Sequence, residues 1–584
     1  MKNLTLVCRL NLIVSVLFTL LCLSFRADVS LAAFPVAALF TVFMYIYTYK
    51  PLIVKQDISR INVIRRFFQY EPFVFITAFV FQRSGKEGFP LFFDALCSLV
   101  WVLILLISFR IQYVISEKRI DSLSPQWKEY RASNPSVKPN GAKRVIVEIL
   151  EWVDALFQAV FTIILLNIFF FQLYEIPSES MVPTFLIKDR VIVFKTLAGP
   201  KFPLTDFGLP YMTKYKRGDI VVFRNPHYGT ERKSEVKTFF SQFIYMCSLT
   251  LLKTNTDENG EIKADPLVKR VCALPGEQIY MLDGTLYKRT KEDSEFKAVE
   301  EDSEWAAWNL NPLSDKTKSK IKQIPLTEKQ ADECLEVEMM RRNFDLDSAK
   351  LECESLAKEF RRLCLYVQTK KIVDFDSIFS DKELMVYNLF SNVNNETISL
   401  LTAEGGAEWF DGFLNSWTAD QDFNDKYEEC CLKLNAMVKL VFGRLVVRSA
   451  ELITKGISAS EWGNDPVRIE NFEKAQMLTD YIFEMDLRNL PVFPASNEDG
   501  SANYIPENCY FMMGDNRYNS LDMRHSYEQV LKPLSGRDSK SVTFYTNIAP
   551  QWVNRNRMLG KACFRFWPLN RAGAPGIGMR EIKR

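Results

Sequence analysis

The sequence predicts a multi-span α-helical membrane region followed by a β domain that carries a large helical insertion. Three observations lead there. Long apolar segments are confined to the first 175 of 584 residues, and a bilayer crossing needs about 20 apolar residues in a helix. Short β-branched and aromatic runs parted by turn residues occupy 176–290 and return near Val492, which is strand texture. Between them the chain becomes charged, with apolar residues at helical spacing. The organisation that follows is a membrane-spanning N-terminal region with cytoplasmic loops (1–150), a last transmembrane helix (151–175), a first β part (176–290), a mainly helical insertion (291–490) and a second β part (491–584).

In the membrane region, Leu10 to Phe25, Leu31 to Tyr49, Leu91 to Phe109 and Trp152 to Tyr174 are candidate spans. Phe73 to Phe81 is short and follows Gln69, Tyr70, Glu71 and Pro72; counted as a span, it makes five. With five spans and a cytoplasmic N-terminus, the inside loops hold thirteen basic residues, within Lys50–Arg66 and Arg110–Arg144. The outside loops hold three, Arg26, Arg83 and Lys86. That asymmetry is the positive-inside bias, and it puts everything after Tyr174 outside the cytoplasm. Dropping the weak segment moves a basic loop to the wrong side. A cleavable leader ending near Ser30-Leu31-Ala32 is the alternative, but a second apolar run follows at once. Ionisable residues inside the spans are few, chiefly Glu71, Asp94 and Asp154 near segment ends, which gives a transport pathway little support.

Within the first β part, Val191–Phe194, Asp219–Phe223 and Gln278–Met281 read as strands. The acidic stretch from Glu292 to Glu304 reads as solvated surface. Thr327–Thr369 and Lys426–Ile453 read as helical. Counts exclude several chemistries. There are two histidines, His227 and His525, so a three-histidine site is impossible. Twelve cysteines form no C-x-x-C pair, against zinc ribbons and thioredoxin-like motifs. Nine of them lie beyond Tyr174, so in an oxidising compartment at least one stays unpaired or pairs elsewhere. A net charge of +2 gives no case for a nucleic-acid partner.

Three segments carry candidate chemistry. The first, Ile176-Pro177-Ser178-Glu179-Ser180-Met181-Val182-Pro183-Thr184, follows the last span directly and taken alone better suits a Ser/Pro-rich juxtamembrane linker. The second, Val268 to Glu277, puts Lys269 in an apolar strand ending in a Pro275-Gly276 turn; alone it suits an edge-strand lysine. The third, Met513 to Arg524, gathers Asp515, Asn516, Arg517, Ser520, Asp522 and Arg524; alone it suits a salt-bridged turn.

Together and in this order they resemble the boxes of bacterial type I signal peptidases, membrane-bound Ser/Lys endopeptidases. The family's Ser-x-Ser-Met-x-Pro-Thr matches at 178–184. Its Lys-Arg with a following Pro-Gly-acid turn matches at Lys269, Arg270, Pro275, Gly276 and Glu277. Its Gly-Asp-Asn-Arg-x-x-Ser-x-Asp-x-Arg matches at 514–524. Asp219 fits a further strand motif, and Gly560-Lys561-Ala562 resembles the closing strand. The resemblance covers 150–290 and 500–566.

It implies a mostly antiparallel β catalytic domain with an apolar surface on the membrane, and removal of signal peptides from exported preproteins at the outer face of the cytoplasmic membrane. Ser180 would be the nucleophile and Lys269 the general base. The Ser178 hydroxyl and Ser180 N–H would form the oxyanion hole. Ser520 would orient the Lys269 amine. Asp522 and Arg524 would form a supporting ion pair, with Arg270 nearby. No metal or cofactor is implied. The partners would be signal peptides bound as an added strand, membrane lipid and the secretion machinery. Elementary chemistry agrees: a serine hydroxyl needs a base, and a lysine, at about 10.4 when free, serves at neutral pH only if burial lowers it.

The sequence departs from the family pattern at Ala273, where glycine is usual and a methyl group would narrow a groove, at Met523, and at His525-Ser526-Tyr527. His525 reads as a local polar contact, His227 as a loop residue and Cys272 as a small core residue. A non-catalytic membrane scaffold and a restricted-substrate Ser/Lys protease are the competing readings. Loss of Ser180 or Lys269 would have favoured the scaffold, and both are present.

Overall fold

The computed structural model describes residues 2–23, 27–55, 60–85, 88–123, 128–129, 132–133, 140–228, 232–248, 251–252, 254, 264–368, 370–418, 423 and 425–575. Of the loop charges counted above, Arg26, Lys86, Arg131 and Lys138 lie outside the described residues.

The N-terminal region packs helices α1 (Lys2–Cys22), α2 (Ala27–Met44, prolonged by π-helical turns over Tyr45–Lys55), α3 (Ile61–Gln82) and α4 (Leu91–Val114) into a bundle. Among the described residues, four helices are long and apolar enough to cross a membrane: Leu4–Cys22, Ala32–Lys55, Leu91–Val114 and Ala142–Phe169. α3 is not among them, because Arg65, Arg66 and Glu71 dilute it. It is nevertheless 22 residues long, about 33 Å at 1.5 Å per residue, and it packs against both α2 and α4. The segment read as Phe73–Phe81 is its second half.

Pro72 sits inside α3 and has no N–H for the Phe68 carbonyl one turn back. Gln112 of α4 donates to that carbonyl at 3.0 Å, and Trp101 donates to the Pro72 carbonyl at 2.8 Å. The neighbouring helix α4 thus repairs the break, as apolar surroundings require.

Glu71 corrects the sequence reading. It lies mid-helix, not near a segment end, because α3 extends well before Phe73. Its buried carboxylate accepts from Asn11 (2.8 Å), Ser15 (2.7 Å), Tyr49 (3.2 Å) and Ser108 (2.5 Å). Asp94 pairs with buried Arg83 at 2.8 Å.

The last span also needs correction. Its helix runs Ala142–Phe169, and Phe171–Glu175 forms strand β1 instead of continuing to Tyr174. The reason is pairing: β1 aligns antiparallel with β2 (Arg190–Phe194), Phe171 opposite Phe194. The main sheet therefore begins where the helix ends.

Seven strands form the main sheet in the order β1-β2-β13-β3-β4-β9-β12, antiparallel throughout. Here β3 is Ile220–Phe223, β4 Leu267–Ala273, β9 Cys509–Met513, β12 Val553–Asn554 and β13 Met558–Trp567. A second sheet runs β7-β6-β5-β8, with β5 Gln278–Leu282, β6 Thr285–Arg289, β7 Lys297–Ala298 and β8 Leu490–Phe493. Val221, Val271, Ile279, Met281, Phe511 and Met513 bury a core common to both sheets. The other face of the main sheet buries Ile176, Met181, Phe185, Val193, Val222 and Ala562.

Between β7 and β8 lies a helical layer with its own core. The predicted Thr327–Thr369 helix is two, Glu328–Arg342 and Leu346–Cys364. Asp345 makes the break by capping the second, accepting from the Ser348 N–H. Thr327 and Gln330 form a capping box on the first. The second predicted run appears as Lys426–Thr454, followed by Pro466–Arg488, which Asp465 caps with proline at the first helical position. A hairpin of β10 (His525–Pro533) and β11 (Thr543–Ile548) reaches back into this layer and gives Leu534, Val542 and Phe544 to its core. This hairpin accounts for the long segment before Gly560.

One helix escaped the strand reading of 176–290: Arg232–Cys247. Its Phe240 and Phe243 stack on Phe81 of α3 and Phe157 of the last span. All twelve cysteines are free thiols, ten of them buried.

Candidate active site

The Ser178–Thr184 segment is shaped by its neighbours' burial. Met181, Val182 and Phe185 are buried, so the chain between β1 and β2 is pinned on the sheet. Ser178 is left exposed and Ser180 half-buried. Their hydroxyl oxygens are 3.3 Å apart. Thr184, at the end of the box, donates to Asp515 at 2.5 Å.

Lys269 belongs to β4, opposite Val221 of β3 on one side. On the other side Arg270 pairs with Met513 of β9; one step further along this antiparallel register puts Lys269 opposite Gly514. Gly514 is where the boxes meet. A Cβ there would lie 2.4 Å from the Ser180 carbonyl oxygen and 2.1 Å from the Ser520 hydroxyl, so only glycine fits. Lys269 is 3% exposed. Burial lowers its amine to about 8, with Arg524 acting in the same direction and Asp522 and Asp515 opposing.

The third box is a buried polar lattice. Asn516 anchors the Ser178–Thr184 segment: its N–H donates to the Ser180 carbonyl and its side chain to the Glu179 carbonyl, both at 3.1 Å. Ser520 is buried and its hydroxyl has no hydrogen-bond partner among the described residues. Asp522 and Arg524 form the expected ion pair, with both carboxylate oxygens engaged at 2.9 and 3.0 Å. Burial alone would raise the Asp522 carboxyl; Arg524, His525 and Lys269 together hold it well below the usual carboxylate range. Arg524 also donates to the carbonyls of Leu487 (2.6 Å) and Arg517 (3.0 Å).

Arg270 does not join that pair. It clamps Asp515 through two bonds, 2.7 and 2.6 Å, and donates to the Gly218 carbonyl at 2.8 Å. Arg270 and Asp515 thereby tie the second box to the third, and Thr184 adds the first.

Three residues with structural parts escaped the sequence reading. Asp302, in the stretch read as solvated surface, is buried and takes both arms of Arg517 at 2.9 and 2.6 Å. Asp515 was a motif residue without a role. Glu179 looked like a spacer between two serines, yet it is buried. No local pattern distinguishes these carboxylates from exposed ones, since their partners lie far along the chain.

The departures resolve simply. The methyl of Ala273 is packed in the core, as is Met523. Cys272 is buried, and burial pushes its thiol up to about 12. His525 is buried, and burial lowers its imidazole to about 4, with Arg524 acting in the same direction. His227 sits in a turn, 3.0 Å from the Gln551 amide. Among the described residues, no group of three His, Cys, Asp or Glu side chains could hold a metal ion.

Comparison with known proteins follows the same residues. The family described as signal peptidase, peptidase S26, matches residues 149–338 and 463–567, just over half of the chain. The match therefore enters the helical layer on both sides. Signal peptidase I of Buchnera aphidicola subsp. Schizaphis graminum is 40% identical over 73 residues, 12% of this chain and 23% of that protein. Signal peptidase I of Bacillus licheniformis is 28% identical over 147 residues, 25% of this chain and 54% of that one. Signal peptidase I P of Bacillus subtilis subsp. natto is 27% identical over 153 residues, 26% and 57% of the two chains. The matched stretches thus span between about a quarter and just over half the length of these relatives. No solved structure matches the chain significantly. A family match of this extent, over the segments that converge on Gly514, means that the chain belongs to the signal peptidase family, peptidase S26.

Proposed function

We propose that the chain removes N-terminal signal peptides from exported preproteins at the outer face of the cytoplasmic membrane, using Ser180 and Lys269. The observation that carries this reading is a lysine buried to 3% exposure, its amine lowered to about 8, in the strand that borders the Ser178–Ser180 segment at Gly514. A neutral amine is a competent base; an ordinary surface lysine is not.

In this mechanism the Ser180 hydroxyl proton passes to the Lys269 Nζ as Oγ attacks the scissile carbonyl carbon. The Ser178 hydroxyl and the Ser180 N–H donate to the oxyanion. The lysine ammonium then protonates the leaving amine, giving an acyl-enzyme on Ser180. Water, deprotonated by the same amine, hydrolyses the ester. Ser520, buried with its hydroxyl unpartnered among the described residues, would orient the Lys269 amine by accepting from it during the reaction. The Asp522–Arg524 pair and the Arg270–Asp515 clamp hold the strand and loop that carry these groups. The substrate's cleavage region would add as a strand, with small residues selected one and three positions before the cut.

The membrane setting supports the same reading. β1 follows the Ala142–Phe169 helix after one residue, so the serines lie close to the membrane surface. The length and packing of α3 support five crossings, and with the basic-loop bias they support a location of Ser180 outside the cytoplasm. Partners would be signal peptides, membrane lipid and the secretion machinery.

The test is cleavage of a model preprotein by the purified full-length chain in detergent, beside Ser180→Ala and Lys269→Ala. Cleavage after a small residue, absent in both folded variants, is the expected result. Full activity in Ser180→Ala would sink the assignment, and inactivity of the intact chain on every preprotein tried would favour the scaffold.

A further inference from the structure

Glu179 separates the two serines, and its side chain runs opposite to theirs in exposure: buried between an exposed and a half-buried neighbour. Its carboxylate accepts the backbone N–H of Lys322, and the Asn519 amide at 3.4 Å. Its carbonyl accepts from the Asn516 side chain at 3.1 Å and the Val182 N–H at 3.0 Å. A backbone N–H bonded to a buried carboxylate is a charge-assisted contact, and removing the acceptor orphans the donor.

Lys322 belongs to residues 305–324, the strip of chain that leads from the small sheet into the helical layer. This strip is fastened along its length. Just before it, Asp302 is held by Arg517. Within it, the Ala307 N–H donates to the Asp515 carbonyl at 2.8 Å, and the Arg517 N–H donates back to the Ala307 carbonyl at 3.1 Å. Ala307, Leu310 and Leu313 bury a small apolar cluster with Val182 and Leu186, just beyond the nucleophile, and Ile321 and Ile324 pack on it. The strip therefore touches the nucleophile segment on both sides of Ser180, through a carboxylate before it and apolar side chains after it.

We infer that residues 305–324 act as a strap that positions the nucleophile segment, with Glu179 as the positioning residue through which the strap fixes Ser178 and Ser180. The inference rests on the Ser180/Lys269 reading. Glu179 is not among the charges that shift Lys269, which are Asp522, Arg524 and Asp515. Its loss thus acts on the geometry of attack and leaves the base as it is. Misplacement of reacting groups by about 1 Å costs up to about a hundredfold in rate.

The experiment measures kcat, KM and the pH profile of preprotein cleavage for the full-length wild type, Glu179→Ala, Glu179→Gln and Leu310→Ala. Glutamine keeps an acceptor for the Lys322 N–H. Expected are a fall of about tenfold or more in kcat for E179A, KM within about twofold, an unmoved acid limb, and recovery of most of the rate in E179Q. L310A loosens the strap without touching the segment between the serines, and lowers kcat in the same sense; it also serves if E179A fails to fold. Equal kcat in wild type, E179A and L310A overturns the strap, as does an E179Q variant no better than E179A, or an acid limb that moves. A wild type without Ser180-dependent cleavage overturns both the strap and the reading beneath it, whereas an active wild type unaffected by E179A overturns the strap alone.

Discussion

At the residue scale the site is a set of buried charges placed around one glycine. Lys269 illustrates the conflict between stability and function. Burial lowers its amine from 10.5 to about 8, so the folded state disfavours the ammonium that the unfolded chain carries. The contribution is therefore unfavourable below pH 8 and fades as pH rises from 8 toward 10.5. Lys269→Met is expected to abolish cleavage and to stabilise the fold at pH 6.5, by roughly 3 kcal/mol from the size of the shift. Thermal unfolding at pH 6.5 and 9.5 checks this: the gap between variant and wild type should narrow at the higher pH, and a pH-independent gap would deny a buried ammonium. In the proposed mechanism the same group sets the rate. kcat/KM should rise with pH through about 8 as Lys269 becomes neutral, and a profile flat between pH 6 and 9 would point to another base. Gly514 is the steric counterpart. A Cβ there would meet the Ser180 carbonyl oxygen at 2.4 Å, so Gly514→Ala should cut cleavage as deeply as Ser180→Ala, measured in the same assay.

At the scale of elements, what was legible in the sequence was whatever local pattern determines. The boxes, the strands β2, β3 and β5, and the Lys426–Thr454 helix could be read because alternation, turn residues and helical spacing are local. The partners of Glu179, Asp302 and Arg270 could not, because each bond joins residues more than a hundred positions apart. The end of the last span was misplaced because Phe171–Tyr174 is apolar enough for either state, and only pairing with β2 decides it. α3 was half-read for a similar reason. Its polar positions look unsuited to lipid until Asn11, Ser15, Tyr49 and Ser108 are seen around Glu71, and Pro72 looks like a terminus until Gln112 is seen beneath it. Gln112→Leu should leave the Phe68 carbonyl without a donor and destabilise the bundle by about 1 kcal/mol. Pro72→Ala supplies the missing N–H, so the double variant should recover that loss in a denaturant titration of the detergent-solubilised protein. No recovery would mean that Gln112 acts through some other contact.

At the scale of the whole molecule, three of the joints between the membrane region, the two sheets and the helical layer bear on the site. The last span runs into β1, the small sheet runs through the 305–324 strip into the helical layer, and Arg524 binds the end of that layer at Leu487. The side of the membrane that carries Ser180 then depends on how many helices cross. With a cytoplasmic N-terminus and five crossings, the loop after α4 is inside and the catalytic sheets are outside. If α3 lies within the bundle without crossing, both assignments reverse. Lys118, after α4, and Lys214, before β3, are exposed and report on the two compartments. Cysteines introduced singly as Lys118→Cys and Lys214→Cys in the full-length chain can be labelled in intact cells with a membrane-impermeant maleimide. The native thiols give little background, because ten of the twelve are buried. Five crossings require labelling of K214C in intact cells and of K118C only after permeabilisation. The opposite pattern would remove α3 from the spans and put Ser180 on the side where exported signal peptides are not cut.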